Sequence, residues 1–256
     1  MKAKRLILFL IFISPALNRL PAMAAAPYSL TDSAAAAYNK GNYAGAIAFY
    51  NRFLKSGYVS ADVYYNLGNC YYRTNDIAKA ILNYERAKKI TPSDADLQFN
   101  LQLANLKTTD KIPGETQLII NTWWTNFINL EGERGWAYFS ILFLCLALML
   151  LLLYLFSGRL AFRQAGFWGA VLMFAACTAA FMLAREQYRT LTTHSTAIVM
   201  SPSVTVKASP ADNGTALFVI HDGTKVTIVK TEGAWTEIKL SNGNQGWLLN
   251  TDIEAI

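Results

Sequence analysis

Apolar positions change their spacing along the chain, and each change predicts a different element. Between residues 27 and 107 they recur at helical intervals. Leu67, Gly68 and Tyr71 share one face, Ala80, Tyr84 and Ala87 share the side that would meet it, and Leu97, Leu101 and Ala104 line a further helix that covers the end of the stack. Set against itself at a lag of 34 residues, the chain aligns Tyr38 with Tyr72, Ala46 with Ala80, Ile47 with Ile81, and Tyr50 with Tyr84, which predicts stacked helix pairs. Gly68 and Ala80 let paired helices approach, Tyr71 and Tyr84 fill the wedge between them, and Pro92 ends the second helix. The periodicity stops at residues 108–114, where Pro113-Gly114 marks a linker. Residues 116–130, with Trp123, Trp124, Phe127 and Ile128, read either as an interfacial helix with Trp at headgroup level or as a buried helix packed on the repeats.

Residues 136–156 and 166–183 are uncharged apolar runs, the second shorter, each expected to cross a membrane. Only residues 157–164 join them, so they should form a helical hairpin with Gly166, Gly169, Ala176 and Ala180 at its contact. From residue 195 the pattern becomes short alternating runs, at 196–199, 204–207, 226–229, 236–240 and 246–249, which predict five or six strands. Asn213-Gly214, Asp222-Gly223 and Asn242-Gly243 are expected to supply positive-φ turn positions.

Within residues 61–94, Tyr64, Leu67, Gly68, Tyr71, Ala80, Tyr84, Ala87 and Pro92 fall on the signature positions of the tetratricopeptide repeat, which this segment closely resembles. The preceding copy, residues 27–60, is divergent: it keeps Ala46 and Tyr50 but carries Ala34, Ala37 and Phe53 where Gly, Tyr and Ala are usual. The last part resembles the bacterial Src-homology-3-like family through Val204-Thr205-Val206-Lys207-Ala208-Ser209-Pro210, His221-Asp222-Gly223-Thr224, Trp235-Thr236-Glu237-Ile238 and Gly246-Trp247-Leu248, with Ala208 in place of the more usual Arg. The expected fold class is therefore multidomain. All-α tetratricopeptide repeats with a capping helix occupy 27–107, a linker and interfacial helix 108–135, a transmembrane hairpin 136–156 and 166–183, and an all-β Src-homology-3-like barrel 195–256.

An apolar share of 53% fits a chain that partly meets lipid. The formal charge of +6 does not imply nucleic acid as a partner. Lys2, Lys4, Arg5 and Arg19 precede Ala25 while no acidic residue does, so the remainder is nearly balanced and lacks a dense basic surface. That basic start, the apolar stretch 6–13 and the small residues Ala22 and Ala24 have the layout of a secretory signal, residues 1–24, cleaved after Ala24 or alternatively Ala26. A signal followed by two spans puts the repeats and the barrel together on the periplasmic side of the inner membrane, with Arg159 and Arg163 on the other. Cys145 and Cys177 fall in the apolar runs, and Cys70 occupies a small helical slot that suits a buried packing thiol.

No nucleophile with its base, no catalytic carboxylate pair, no metal-ligand spacing and no phosphate-binding loop is evident. His194 and His221 are the only histidines, so neither a catalytic site, a metal site nor a cofactor is expected. Binding surface remains. By helical register Tyr38, Tyr65, Asn69, Tyr72 and Phe99 should line the concave side of the repeats, where rings and an amide suit a peptide. The alternative is that the linker covers that groove. Trp235 and Trp247 read as packing residues of the barrel, with a peptide or glycan platform as the alternative.

The order of signal, repeats, paired spans and terminal barrel resembles the BatE family of aerotolerance-operon proteins over nearly the whole chain. That resemblance implies partners that are membrane proteins with von Willebrand factor A domains, a MoxR-type ATPase system, and a role in envelope stress. It points to a non-enzymatic scaffold. The alternative is a sensor or accessory of cell-wall enzymes whose barrel binds peptidoglycan.

Overall fold

Two helix-to-helix loops are built alike, 34 residues apart. Gly41 and Asn75 both take positive φ, 75° and 63°, a conformation that glycine and asparagine adopt most readily. The following residue then caps the next helix: Asn42 accepts from the Gly45 N–H at 2.9 Å and Asp76 from the Lys79 N–H at 3.3 Å. The computed structural model describes residues 28–112, 123–124, 127–192 and 195–256. The expected signal segment, Pro113-Gly114, most of the segment 116–130 and His194 lie outside them.

The caps start α2 (Tyr43–Lys55) after α1 (Tyr28–Asn39), and α4 (Ile77–Ile90) after α3 (Ala61–Arg73); α5 (Ala95–Leu106) follows, capped by Asp94. Ala34, Ala46, Tyr50, Phe53, Val63, Leu67 and Cys70 form one buried cluster between the pairs. Burial pushes the Cys70 thiol up to about 11, so at neutral pH it is an inert packing group. Ala80, Ile81, Tyr84 and Ala87 of α4 form a second cluster with Leu97, Leu101 and Ala104 of α5.

Two long helices, α6 (Glu133–Phe156) and α7 (Leu160–Thr192), lie side by side. Both are long and apolar enough to cross a membrane. A Cβ at Gly166 would sit 2.8 Å from the Leu150 carbonyl oxygen and the Tyr154 nitrogen, so glycine permits backbone contact there. The second helix extends well beyond the expected 166–183, because Arg163 and Gln164 continue it and only Ser157-Gly158-Arg159 breaks the pair. Of the pre-span segment, Trp123 is 67% exposed, and Trp124 and Phe127 are also exposed; both stack on or beside Phe127, which meets Trp136 at 5.7 Å.

The C-terminal module is an antiparallel sheet of seven strands: β1 (Thr196–Val199), β2 (Ser203–Lys207), β3 (Ala216–His221), β4 (Lys225–Glu232), β5 (Trp235–Lys239), β6 (Gln245–Leu249) and β7 (Ile253–Ala255). Their order is β3-β2-β6-β5-β4-β1-β7, an open sheet with β3 and β7 at its edges. Inward residues of β1 to β6, among them Val199, Val206, Ile220, Val226, Ile238 and Leu248, share one core, so the sheet curls around it. β3 and β7 go beyond the runs read from alternation. In β3 the outward Leu217 and Val219 are apolar too, which removes the alternation, and β7 has only three residues. Gly223 and Gly243 take positive φ as expected, but Gly214 does not, and Gly233 does. Gly214 is needed for closeness instead: a Cβ there would meet Ser209 O and Oγ at 2.9 Å.

Sheet and repeats are docked together. Ile198 and Ile256 are buried in the same cluster as Ile81, Leu97 and Leu101, each worth about 1.5–3 kcal/mol of apolar burial. Arg86 of α4 donates to Glu254 Oε1 at 2.9 Å and to the Ala255 carbonyl at 2.8 Å, and Lys225 reaches Glu85 at 2.8 Å. Asp110, just past α5, accepts from the His221 N–H at 2.6 Å and the Thr224 hydroxyl at 2.8 Å, and faces His221 Nδ1 at 2.9 Å. Gly223, with φ of 82°, is pressed against the repeats: a Cβ there would lie 2.8 Å from Thr108 Cγ2.

Candidate functional site

A tyrosine buried in a helical core must find a partner for its hydroxyl. Tyr84 is 1% exposed, and its hydroxyl donates to Asn69 Oδ1 at 2.7 Å. Asn100 of α5 donates from Nδ2 both to Asn69 Oδ1 at 3.1 Å and to the Tyr65 hydroxyl at 2.8 Å. Tyr65, Asn69, Tyr84 and Asn100 therefore form one polar network that joins α3, α4 and α5. It holds the two α3 residues in fixed orientations.

Of the five residues expected to line the groove, the structure joins Tyr65 and Asn69 directly through this network. Tyr72 lies one helical turn past Asn69, with Lys107 Nζ 4.1 Å from its ring centroid, a cation–π contact. Tyr38 sits farther along the stack, edge-on to Tyr43 at 5.2 Å. Phe99 is 61% exposed, so it takes no part in the core. Asn100 stands 34 residues after Asn66, so the repeat register reaches it, but register alone does not show which amide meets Tyr65 and Asn69. The signal for it was that recurrence of an amide one repeat later.

On the sheet, Trp235 and Trp247 stand on the same outward face, since Glu237 pairs with Trp247 and Trp235 with Leu249. Neither belongs to the sheet's buried core. Trp247 is nonetheless only 7% exposed; Lys230 Nζ lies 4.8 Å from its ring centroid, and Lys207 Nζ lies 5.1 Å from that of the half-buried Trp235. Lys207 is itself tied to the Ala211 and Asp212 carbonyls, and Lys230 to Glu232. The two tryptophans are thus roofed by lysine stems rather than open to solvent as a flat platform.

Among the described residues no three His, Cys, Asp or Glu side chains converge as a metal site. His221 is engaged by Asp110 at the docking surface. The arrangement offers amides, phenol hydroxyls, a cation-bearing ring and an exposed phenyl ring, which is chemistry for holding a peptide. Comparison with curated proteins returns no match. Residues 31–95 match the tetratricopeptide repeat family, so α1 to α4 are a tetratricopeptide-like region, a kind of repeat that typically serves protein–protein interaction.

Proposed function

We propose that the chain is a non-enzymatic scaffold at the bacterial envelope, anchored in the inner membrane by α6 and α7, whose repeats grip a peptide segment of a membrane partner. The observation that carries this reading is the tetratricopeptide match over residues 31–95 together with the exposed Phe99, which precedes Asn100 on α5. The lateral packing of α6 on α7 supports an even pair of spans, and the docking of sheet on repeats supports a shared periplasmic compartment for both modules. The sheet's strand runs and turn residues fit a Src-homology-3-like module that braces the repeats. Following the resemblance in the order of parts, the partners are membrane proteins with von Willebrand factor A domains in an aerotolerance or stress complex.

The clean test avoids Tyr65 and Asn69, whose loss would leave Tyr84 and Asn100 without partners. Replacing Phe99 and Tyr72 by alanine is expected to lower partner recovery in a pull-down by about tenfold, the effect of losing one or two aromatic anchors. Unchanged recovery would remove the groove from the mechanism.

A second reading, in which the sheet binds peptidoglycan as a wall sensor, rests on the half-buried Trp235 and the exposed Leu249, paired on one outward face. On that reading the solubilised chain co-sediments with purified cell wall and Trp235→Ala abolishes it. Equal sedimentation of both proteins would exclude it.

A further inference from the structure

A cavity of about 1140 Å³ opens where four parts of the molecule meet: the end of α2 with the loop and first turn of α3, the C-terminal turns of α4, the start of α6, and the end of β7 with Ile256. Its basic lining residues are Lys55, Arg86, Lys89 and Arg134, against Asp62 and Glu254, and Glu254 is already paired with Arg86. The positive side is therefore in excess. Burial, then the positive charges of Lys225 and Arg86, hold the Lys89 ammonium below its ordinary pKa, and its Nζ donates to the Ile256 carbonyl at 2.8 Å. Leu54, Val59, Tyr64 and Ile90 add apolar wall, with Asn51, Ser60 and Thr91 as polar residues among them. Gly132 and Gly135 form the rim on the side of α6. Immediately beyond that rim, Tyr138, Phe139, Ile141 and Leu142 are exposed apolar side chains on a helix long enough to cross a membrane.

We propose that this cavity binds the phosphate headgroup of an anionic phospholipid. The inference rests on the reading of α6 and α7 as membrane spans. On that reading the first turn of α6 lies at headgroup depth, so Lys55 and Arg134 can clasp the phosphate with charge-assisted hydrogen bonds. The acyl chains leave over the rim along the apolar side chains of α6, a path that a soluble phosphate would not need. A bound lipid would tie the repeats to the anchor at a fixed height above the bilayer.

The test uses the full chain, extracted in mild detergent and reconstituted into nanodiscs of phosphatidylcholine with or without phosphatidylglycerol. Native mass spectrometry then reads which lipid stays bound. The wild-type protein is expected to retain phosphatidylglycerol over phosphatidylcholine by roughly tenfold, in line with the attraction of basic side chains to anionic lipid. The Lys55→Ala, Arg134→Ala variant should fall to near parity; both side chains are exposed, so the fold is preserved, and Lys55→Arg with Arg134→Lys should restore retention. Equal retention of the two lipids by the wild type, or undiminished preference in the alanine variant, would overturn the proposal. So would glycerol 3-phosphate raising the Tm of delipidated protein as much as phosphatidylglycerol does, since the site would then belong to a soluble phosphate. Alkaline carbonate extraction separates the two levels. A chain that stays with the membrane but shows no lipid preference refutes this inference alone, whereas a chain released by carbonate refutes the spans and the inference together.

Discussion

Replacing Gly68 by valine is expected to unfold the repeat module, and replacing it by alanine to weaken it. A Cβ at Gly68 would sit 2.6 Å from both Cδ1 and Cε1 of Tyr84, well inside contact distance. The ring cannot swing aside, because it is 1% exposed and its hydroxyl is held by Asn69. Overpacking a dense core costs about 1–3 kcal/mol, more than the gain of up to about 1 kcal/mol from exchanging glycine for alanine within a helix. Valine adds two further methyl groups to the same clash. Against a total stability of about 5–15 kcal/mol, the alanine variant should show an earlier urea midpoint and the valine variant should lose protection of α3 and α4 from hydrogen exchange. A double-mutant cycle with Tyr84→Leu identifies the cause. If the penalty at Gly68 is unchanged when the ring is gone, the steric account is wrong.

Replacing Asp110 by alanine should release the sheet from the repeats while leaving each folded. One carboxylate takes the His221 N–H, the Thr224 hydroxyl and the His221 ring. Hydrogen bonds to a charged group are worth about 1.5–3 kcal/mol each, and the His221 N–H would lose its acceptor, so a loss of about 3 kcal/mol from docking is expected. Burial pushes the Asp110 carboxyl up, but the hydrogen bonds from the His221 ring, the His221 N–H and Thr224 outweigh it and hold the net pKa below its ordinary value. A depressed folded pKa means that the contribution is complete above pH of about 4 and fades as pH falls through the lower folded value. The difference between wild type and Asp110→Asn should therefore be largest at neutral pH and shrink in acid. Hydrogen exchange at the Ile198 and Ile256 amides measures it. A difference that stays constant down to pH of about 2 would show that the charge of Asp110 is irrelevant to docking.

Much of the helical half could be read from the chain because its determinants are local. Gly41 with Asn42 and Asn75 with Asp76 repeat one loop at one spacing, and turn conformation and capping depend on residues a few positions apart. Leu97, Leu101 and Ala104 stand at helical intervals and are the buried residues of α5. The second long helix runs past the apolar stretch 166–183 at both ends, because polarity at Arg163 and Gln164, and again at Arg185 and Glu186, ends an apolar run but not a helix. In the sheet, β3 escaped because alternation disappears when both faces carry apolar side chains. The groove was half legible: Tyr65 and Asn69 follow from register, while Asn100 enters only because α5 brings it across to them.

By itself the amino-acid sequence determined the repeat period, the turns at Gly223 and Gly243, the two hydrocarbon-length helices and most of the strands, since each depends on periodicity or chemistry within about one turn or one hairpin. Only the tertiary structure decided that the sheet is docked on the repeats, that it is open in its strand order, and that Trp235 and Trp247 share an outward face. The docking rests on pairs such as Asp110 with His221, Glu85 with Lys225 and Arg86 with Glu254, more than a hundred residues apart in the chain, and the other two outcomes on the pairing of strands. A polar side chain shows its need for a partner in the sequence, but the partner's identity depends on which surfaces the packed cores bring face to face.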